Sequence, residues 1–366
     1  MRTSELRSIL NEDADAVIAQ VGDSLEAFAG RTVLLTGAAG FLGTQFLNLF
    51  ARLNDSGRLT RSCNVLAVDN FRRGLPEGLR SLTPRGDIAL QTVDIVATRD
   101  FPQADFIIHA ASIASPTFYR QYPLETMDAN VTGLRNLLDH AVQHRPRSFL
   151  FFSSSEIYGD PDPANIPTAE HYRGFVSCTG PRACYDESKR FGETLCVTFH
   201  RLYGLPIKIV RPFNNYGPGL SIDDRRVLPD FFRDVLAGRD ITLLSDGRAT
   251  RTFCYVSDAI SGYMLALLSA HDGEAFNIGS ESPEISMETL AELVVKVSGS
   301  VVKVTKRRSE DPDYLSDNPQ RRCPDLAKSR RLLGYAPRVA LTEGLTRTYA
   351  YYRCLAVDGA GAGNHV

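Results

Sequence analysis

One stretch narrows what this chain can fold into more than any other. Thr32–Gly43, TVLLTGAAGFLG, begins with the apolar run Val33-Leu34-Leu35, which reads as a buried strand. Glycines follow at Gly37, Gly40 and Gly43, and Thr44–Phe50 then carries apolar residues at helical spacing. A strand, a glycine turn and a helix in that order make a phosphate cradle. The glycines let the backbone approach a pyrophosphate, and the helix N-terminus offers free N–H groups. Without a ligand the same pattern is only a tight turn. A second apolar strand, Asn64–Val68, argues for the ligand, because it ends at Asp69, an acidic residue placed to accept from the hydroxyls of an adenosine ribose. Asp69 lies beyond the usual spacing of ~20 residues, and the polar segment Arg52–Arg61 reads as the inserted length. The charge of Asp69 favours NAD over NADP, while Arg72 and Arg73 just beyond it act in the opposite sense.

Ile88–Val93, Asp105–Ala111 and Ser148–Ser153 read as the third, fourth and fifth strands, with Met127–His144 a long helix that contains Asn130. Strands alternating with helices predict an α/β fold, a Rossmann-type doubly wound parallel sheet with ligands at the C-terminal ends of its strands. Asp94-Ile95 stands where an adenine edge is read. Ala110 and Ala111 leave room for a cofactor, and His109, alone on an apolar strand, is expected to be structural. In residues 1–30, Leu6, Leu10, Ala14, Ile18 and Val21 share a helical stripe, expected to pack on the body or on a second subunit. The expected organisation is a helical extension over 1–30 and an NAD-binding Rossmann domain over 31–213. A smaller, mainly substrate-binding domain over 214–355 is interleaved with the late strands, and a flexible tail covers 356–366.

Bulk properties exclude several functions. The formal net charge of −2 gives no general attraction to nucleic acid or to an anionic membrane. No apolar run reaches ~18 residues, and the first twenty residues lack the apolar core of a signal peptide. Seven cysteines without a C-x-x-C pair predict reduced thiols in a cytoplasmic protein, with no disulfide frame and no metal site.

The chemistry-bearing residues lie after the fifth strand. Ser153-Ser154-Ser155-Glu156-Ile157-Tyr158-Gly159 leaves it, and Tyr185-Asp186-Glu187-Ser188-Lys189 follows downstream. Tyr185 and Lys189 fall on one face of a helix. A lysine ammonium beside a tyrosine is expected to lower the phenol pKa. A phenolate is a general base for alcohol oxidation, and a serine hydroxyl can orient that alcohol.

The motifs TGAAGFLG, VDN, HAAS, SSSEIYG, YDESK, RPFNNYGP and TRTFCYV run through a stretch, about Arg31 to Arg353, that resembles the extended short-chain dehydrogenases/reductases. These are the NAD-dependent epimerase/dehydratase enzymes of nucleotide sugars. The blocks GPRACYDESKRFGETLC (Gly180–Cys196), SSSEIYGDP and QRRCPDL are most similar to the UDP-glucuronate decarboxylases, or UDP-xylose synthases. The resemblance implies NAD as cofactor, a nucleotide-diphosphate sugar as substrate, and a homodimer paired through the helices near Met127–His144 and Tyr185–Tyr203. It implies Ser154, Tyr185 and Lys189 as the catalytic set, with Glu156, Ser155 and Arg322 around a sugar carboxylate. Cofactor contacts are implied for Gly37, Gly40, Phe41, Leu42, Gly43, Asp69, Asn70, Asp94, Ile95, Ala110, Ala111, Asn130, Tyr185, Lys189 and Pro212. Ser115, Asn214, Arg251 and Arg322 are implied on the substrate, Asn214 and Arg251 at its pyrophosphate. Ser154-Ser155-Glu156 replaces the decarboxylases' Thr-Ser-Glu. The dehydratases resemble Thr-Asp-Glu there, so Ser155 argues against sugar dehydration. Cys323 departs from the Arg-Lys-Pro-Asp motif. The implied reaction is UDP-glucuronate to UDP-xylose through a 4-keto intermediate. A 4-epimerase or 4,6-dehydratase is the alternative, and a non-catalytic NAD-sensing protein a remote one.

Overall fold

Strands apolar on both faces need cover on both faces, and that requirement builds the molecule. The computed structural model describes residues 2–76, 79, 82, 84–311 and 316–361. The strands of the main sheet are β1 (Thr32–Thr36), β2 (Asn64–Asp69), β3 (Ile88–Thr92), β4 (Phe106–His109), β5 (Ser148–Phe152), β6 (Ile207–Pro212) and β11 (Ala275–Ile278). They pair in parallel in the order β11-β6-β5-β4-β1-β2-β3. Side chains alternate between two cores. Val33, Leu35, Ile108 and Leu150 lie in one, and Leu34, Ile107, Phe149 and Phe151 in the other. The order reverses between β1 and β4, which opens the crevice where such sheets bind ligands.

Three small sheets stand beside the main one. They are β7 (Asn215–Tyr216) with β10 (Cys254–Tyr255), β8 (Ile241–Leu243) with β13 (Val304–Lys306), and β9 (Thr250–Arg251) between β12 (Ile285–Ser286) and β14 (Arg321–Arg322). The last of these carries Arg251 and Arg322 side by side.

Two boundaries differ from the sequence expectation. The helix expected over Met127–His144 starts earlier, at Pro123–Asp128, widens into a π turn over Ala129–Gly133, and resumes as α-helix over Leu134–His144. Asn130 sits in that π turn. Residues 356–361, expected in the tail, belong to the helix Leu341–Gly361, and residues 362–366 lie outside the described residues.

The N-terminal helix Arg2–Val21 buries Leu10, Ala14, Ile18 and Val21 and leaves Leu6 half-buried. It packs on the body, against the helices Phe41–Asp55, Val256–Leu268 and Leu341–Gly361. The polar segment read as an insertion is the counterpart of this helix and of the short 3-10 helix Gly22–Phe28 that follows it. Arg52 makes a bidentate pair with Asp15 (2.8 and 2.9 Å), Arg58 reaches Asp23 at 2.9 Å, and Thr60 donates to Glu26. Asp13 accepts from Tyr255 (3.0 Å) and from Arg347 (2.9 Å). Burial pushes its carboxyl up to about 6 against the pull of Arg347.

Candidate active site

The glycine turn is as tight as the sequence requires. Gly37 has φ +74°, and a Cβ there would lie 2.6 Å from the Ala111 nitrogen, so the turn abuts the Ala110-Ala111 backbone after β4. A Cβ at Gly43 would lie 2.1 Å from the Gly37 carbonyl oxygen. Gly40 caps the helix Phe41–Asp55 without a side-chain acceptor, so the first-turn N–H groups at Phe41, Leu42 and Gly43 are left for an anion. This cradle, which a single methyl would fill, fits a dinucleotide pyrophosphate.

Asp69 closes the same end. Its carboxylate accepts from the Ala39 N–H (2.9 Å) and the Phe71 N–H (2.8 Å), tying the glycine turn to the end of β2. Asn70 accepts from the Arg72 N–H. Arg72 and Arg73 turn away from Asp69. Arg72 pairs with Asp94 at 3.4 Å, while Arg73 lies over the Phe118 ring and 3.6 Å from Asp224. Asp94 also accepts from the Val96 N–H, and Ile95 is buried. His109 is buried against Thr36 (2.8 Å), and burial drives its pKa down to about 3, so the ring is neutral and structural.

Ser154, Tyr185 and Lys189 are brought together at the C-terminal end of β5, all buried. Lys189 Nζ donates to the Phe152 carbonyl at 2.8 Å and stands 5.8 Å from the Tyr185 ring centroid. Asn130 anchors the helix Ala183–Tyr203, accepting from Ser112 (2.8 Å) and donating to Ser188 (2.9 Å). The expected lowering of the phenol pKa is corrected here. Burial raises Tyr185 to about 12, with a Ser154 hydrogen bond opposing, and lowers Lys189 to about 7. Burial of the phenol is the largest effect on it, and Glu156 and Asp186 push it the same way.

Glu156 is the electrostatic centre of the site. It lies in the short turn Ser155–Tyr158, where its N–H donates to Ser154 Oγ at 3.1 Å. Both carboxylate oxygens face the Arg322 fork, with Nη2–Oε2 at 2.6 Å, and Arg182 grips Oε2 as well. Burial pushes this carboxyl up, but Arg182, Arg322 and Arg251 outweigh it and hold it well below the usual range. Arg322, expected on a sugar carboxylate, therefore has its fork on Glu156 instead. Ser155 is buried beside it.

Other expected substrate residues are also engaged within the chain. Ser115 donates to the Asp224 carbonyl (2.7 Å) and Asn214 to the Thr252 carbonyl (2.8 Å). Arg251 donates to the carbonyls of Thr250, Pro319 and Gln320 and to Asn318 Oδ1, and burial with Arg322 beside it lowers its pKa to about 9. Pro212 ends β6.

Two further residues went unread in the sequence. Tyr119 stacks on Tyr185, centroids 4.9 Å apart and planes 10° apart, with its hydroxyl buried and unpartnered. Arg182, three residues before Tyr185 within GPRACYDESK, has its guanidinium 5.9 Å from the Tyr119 ring and its Nε 3.8 Å from the Asp186 carboxylate. Arg182 stood inside a motif already singled out. Tyr119 had no signal beyond being aromatic.

A doubly wound sheet with a glycine cradle on one side of its crevice and serine, tyrosine and lysine on the other defines a dehydrogenase-type nucleotide enzyme. Residues 33–279 match the family described as NAD dependent epimerase/dehydratase, and the chain belongs to that family, whose cofactor is NAD. It is 36% identical over 313 residues to UDP-glucuronic acid decarboxylase 3 of Arabidopsis thaliana, covering 86% of each chain. It is 36% identical to UDP-glucuronic acid decarboxylase 1 of Xenopus tropicalis, covering 88% of this chain and 72% of that one. Among solved structures, UDP-glucuronic acid 4-epimerase from Bacillus cereus, in complex with UDP-glucuronic acid and NAD, superposes with a TM-score of 0.74 at 25% identity, covering 88% of this chain and 99% of that one.

Proposed function

We propose that this enzyme decarboxylates UDP-glucuronate to UDP-xylose. The observation that carries the reading is the Arg182–Glu156–Arg322 cluster directly beside Ser154 and Tyr185. The family's named decarboxylase relatives support it. NAD, when bound, accepts a hydride from C4 of the sugar and later returns it. Tyr185 takes the C4 hydroxyl proton, and Ser154 holds that oxygen. The resulting ketone lies beta to the carboxylate, so the C5–C6 bond breaks with its electrons passing into the ketone, and carbon dioxide leaves. The enolate takes a proton from water at C5, and Tyr185 gives its proton back to the C4 oxygen as the ketone is reduced. The Tyr119 hydroxyl, buried with no hydrogen-bond partner in the chain, is a donor for the sugar carboxylate while Arg322 holds Glu156. Incubation with UDP-glucuronate and mass spectrometry tests this. Loss of carbon dioxide supports it. An isomeric product of unchanged mass transfers the site to the 4-epimerase reading.

Asp69 is proposed at the adenosine ribose, where its carboxylate selects a free 2′-hydroxyl. Asp69→Ala is expected to weaken NAD binding by about tenfold or more and to narrow the gap to NADP. Titration with both nucleotides checks it, and unchanged affinities for both remove Asp69 from the ribose.

A homodimer is proposed through the two adjoining helices. Leu124, Met127, Phe191 and Leu202 are exposed on Pro123–Asp128 and Ala183–Tyr203, an apolar surface of the kind that a second copy covers. Light scattering is expected to give a dimer for the wild type and a monomer for Phe191→Glu. A monomeric wild type at micromolar concentration removes the proposal. No helix among the described residues is long and apolar enough to cross a membrane. A cytoplasmic setting is proposed from the seven cysteines, which include no C-x-x-C pair.

A further inference from the structure

Away from the reacting groups, a buried hydrogen-bond network joins the three segments that carry them. Arg211, at the end of β6, makes a bidentate pair with Glu193 (2.8 and 2.6 Å) on the catalytic helix, one turn after Lys189. Its Nη1 donates to the Tyr158 hydroxyl (2.7 Å) and to the Glu170 carbonyl (2.8 Å). Tyr158 ends the short turn that holds Glu156, and its hydroxyl donates to Asn277 Oδ1 at 2.7 Å. Asn277 stands opposite Arg211 in the β6–β11 register. Its Nδ2 donates to the carbonyls of Thr168 (2.9 Å) and Asp325 (3.1 Å), and Thr168 in turn bonds the backbone of Cys323 and Asp325, next to Arg322. Arg211, Tyr158 and Asn277 are all buried, so each of these bonds is made away from water.

We propose that Tyr158, Arg211 and Asn277 are positioning residues that hold Glu156 and Arg322 in register with Tyr185. Through that register they govern carbon–carbon cleavage more than the first oxidation. The proposal rests on the decarboxylase reading. The asymmetry follows from the connections. Oxidation uses Ser154, Tyr185 and Lys189, and besides the Arg211–Glu193 pair on their helix the last two have holds of their own, Tyr185 through Ser188 and Asn130 and Lys189 on the Phe152 carbonyl. Glu156 lies in a short turn and Arg322 in β14, 166 residues further on, and the Tyr158–Asn277–Thr168 chain joins their backbones from the buried side, alongside the Gln320 N–H bond to Asp160 at the surface.

The test is Tyr158→Phe, which removes the hydroxyl and keeps the ring packed against Phe213 and Tyr172. Asn277→Asp, which keeps the Oδ1 acceptor and loses the amide donor, is the second variant. In single turnovers with UDP-glucuronate, NADH formation and carbon dioxide release are followed together, with thermal midpoints alongside. The expected result is NADH formation near the wild-type rate, carbon dioxide release slowed about tenfold or more, and some 4-keto sugar nucleotide released. A wild-type ratio of the two rates in both variants overturns the proposal, whether both rates are normal or both fall with the thermal midpoint. A wild type that forms NADH and releases no carbon dioxide overturns the decarboxylase reading itself, and this proposal with it.

Discussion

Tyr185→Phe is expected to lower turnover by ~10²–10⁴-fold, the usual cost of losing a positioned general base, while NAD affinity stays nearly unchanged. The phenyl ring keeps its stacking on Tyr119, and Lys189 keeps its bond to the Phe152 carbonyl, so the variant loses one hydroxyl and little else. Burial, with Ser154 opposing and Glu156 adding to it, raises that phenol to about 12. Positive charge beside the phenol, such as the nicotinamide ring of bound NAD would supply, would favour proton abstraction near neutral pH. Turnover and NAD titration on the purified variant decide the matter. Turnover within a few-fold of wild type would remove Tyr185 from the base role.

Arg322→Ala is expected to abolish carbon dioxide release and to destabilise the protein by ~3–5 kcal/mol, because it leaves a buried carboxylate with half its partners. Glu156 is held well below its ordinary range by Arg182 and Arg322 against the opposing effect of burial. A carboxyl with a depressed folded pKa stabilises above its unfolded value, ~4.3 for glutamate, and that stability is lost as pH falls below it. Without Arg322 the depression shrinks, so acid unfolding of the variant is expected at higher pH than in the wild type. Arg322→Lys is expected to recover little activity, since an ammonium cannot match the two-point contact made to Glu156. Product analysis with UDP-glucuronate, NADH absorbance and acid-unfolding curves are the measurements. Full carbon dioxide release by Arg322→Ala, or an unchanged acid transition, contradicts this assignment.

What could be read from the sequence was local. The glycine turn works through neighbours within a dozen residues, and Tyr185 and Lys189 share a helix face one turn apart, so spacing alone placed them. The Asp69 contacts are nearly as local, made to a turn 30 residues back. Pairings across long separations were not legible. Nothing in the spacing links Glu156 to Arg322, 166 residues on, or Tyr158 to Asn277, 119 residues on. For Arg251 and Arg322 the family resemblance implied contacts to anionic groups of the substrate. Only the packing shows that one faces carbonyls and the other a glutamate of the same chain. The π turn at Asn130 escaped for another reason, because a widening of one turn leaves the apolar spacing of a helix almost unchanged.

The N-terminal helix has a consequence for how this chain can be divided. The family pattern begins at residue 33, and everything before it looks like an appendage. Yet Asp15, Asp23 and Glu26 hold the Arg52–Thr60 stretch, and Asp13 reaches Tyr255 and Arg347. The helix is thus a wedge driven between the cofactor-binding half and the segments that end the chain, with its apolar stripe as the common face. A cut before Thr32 would pass through an interior, not a hinge. In this molecule the unit of inheritance and the unit of mechanical integrity are two different objects.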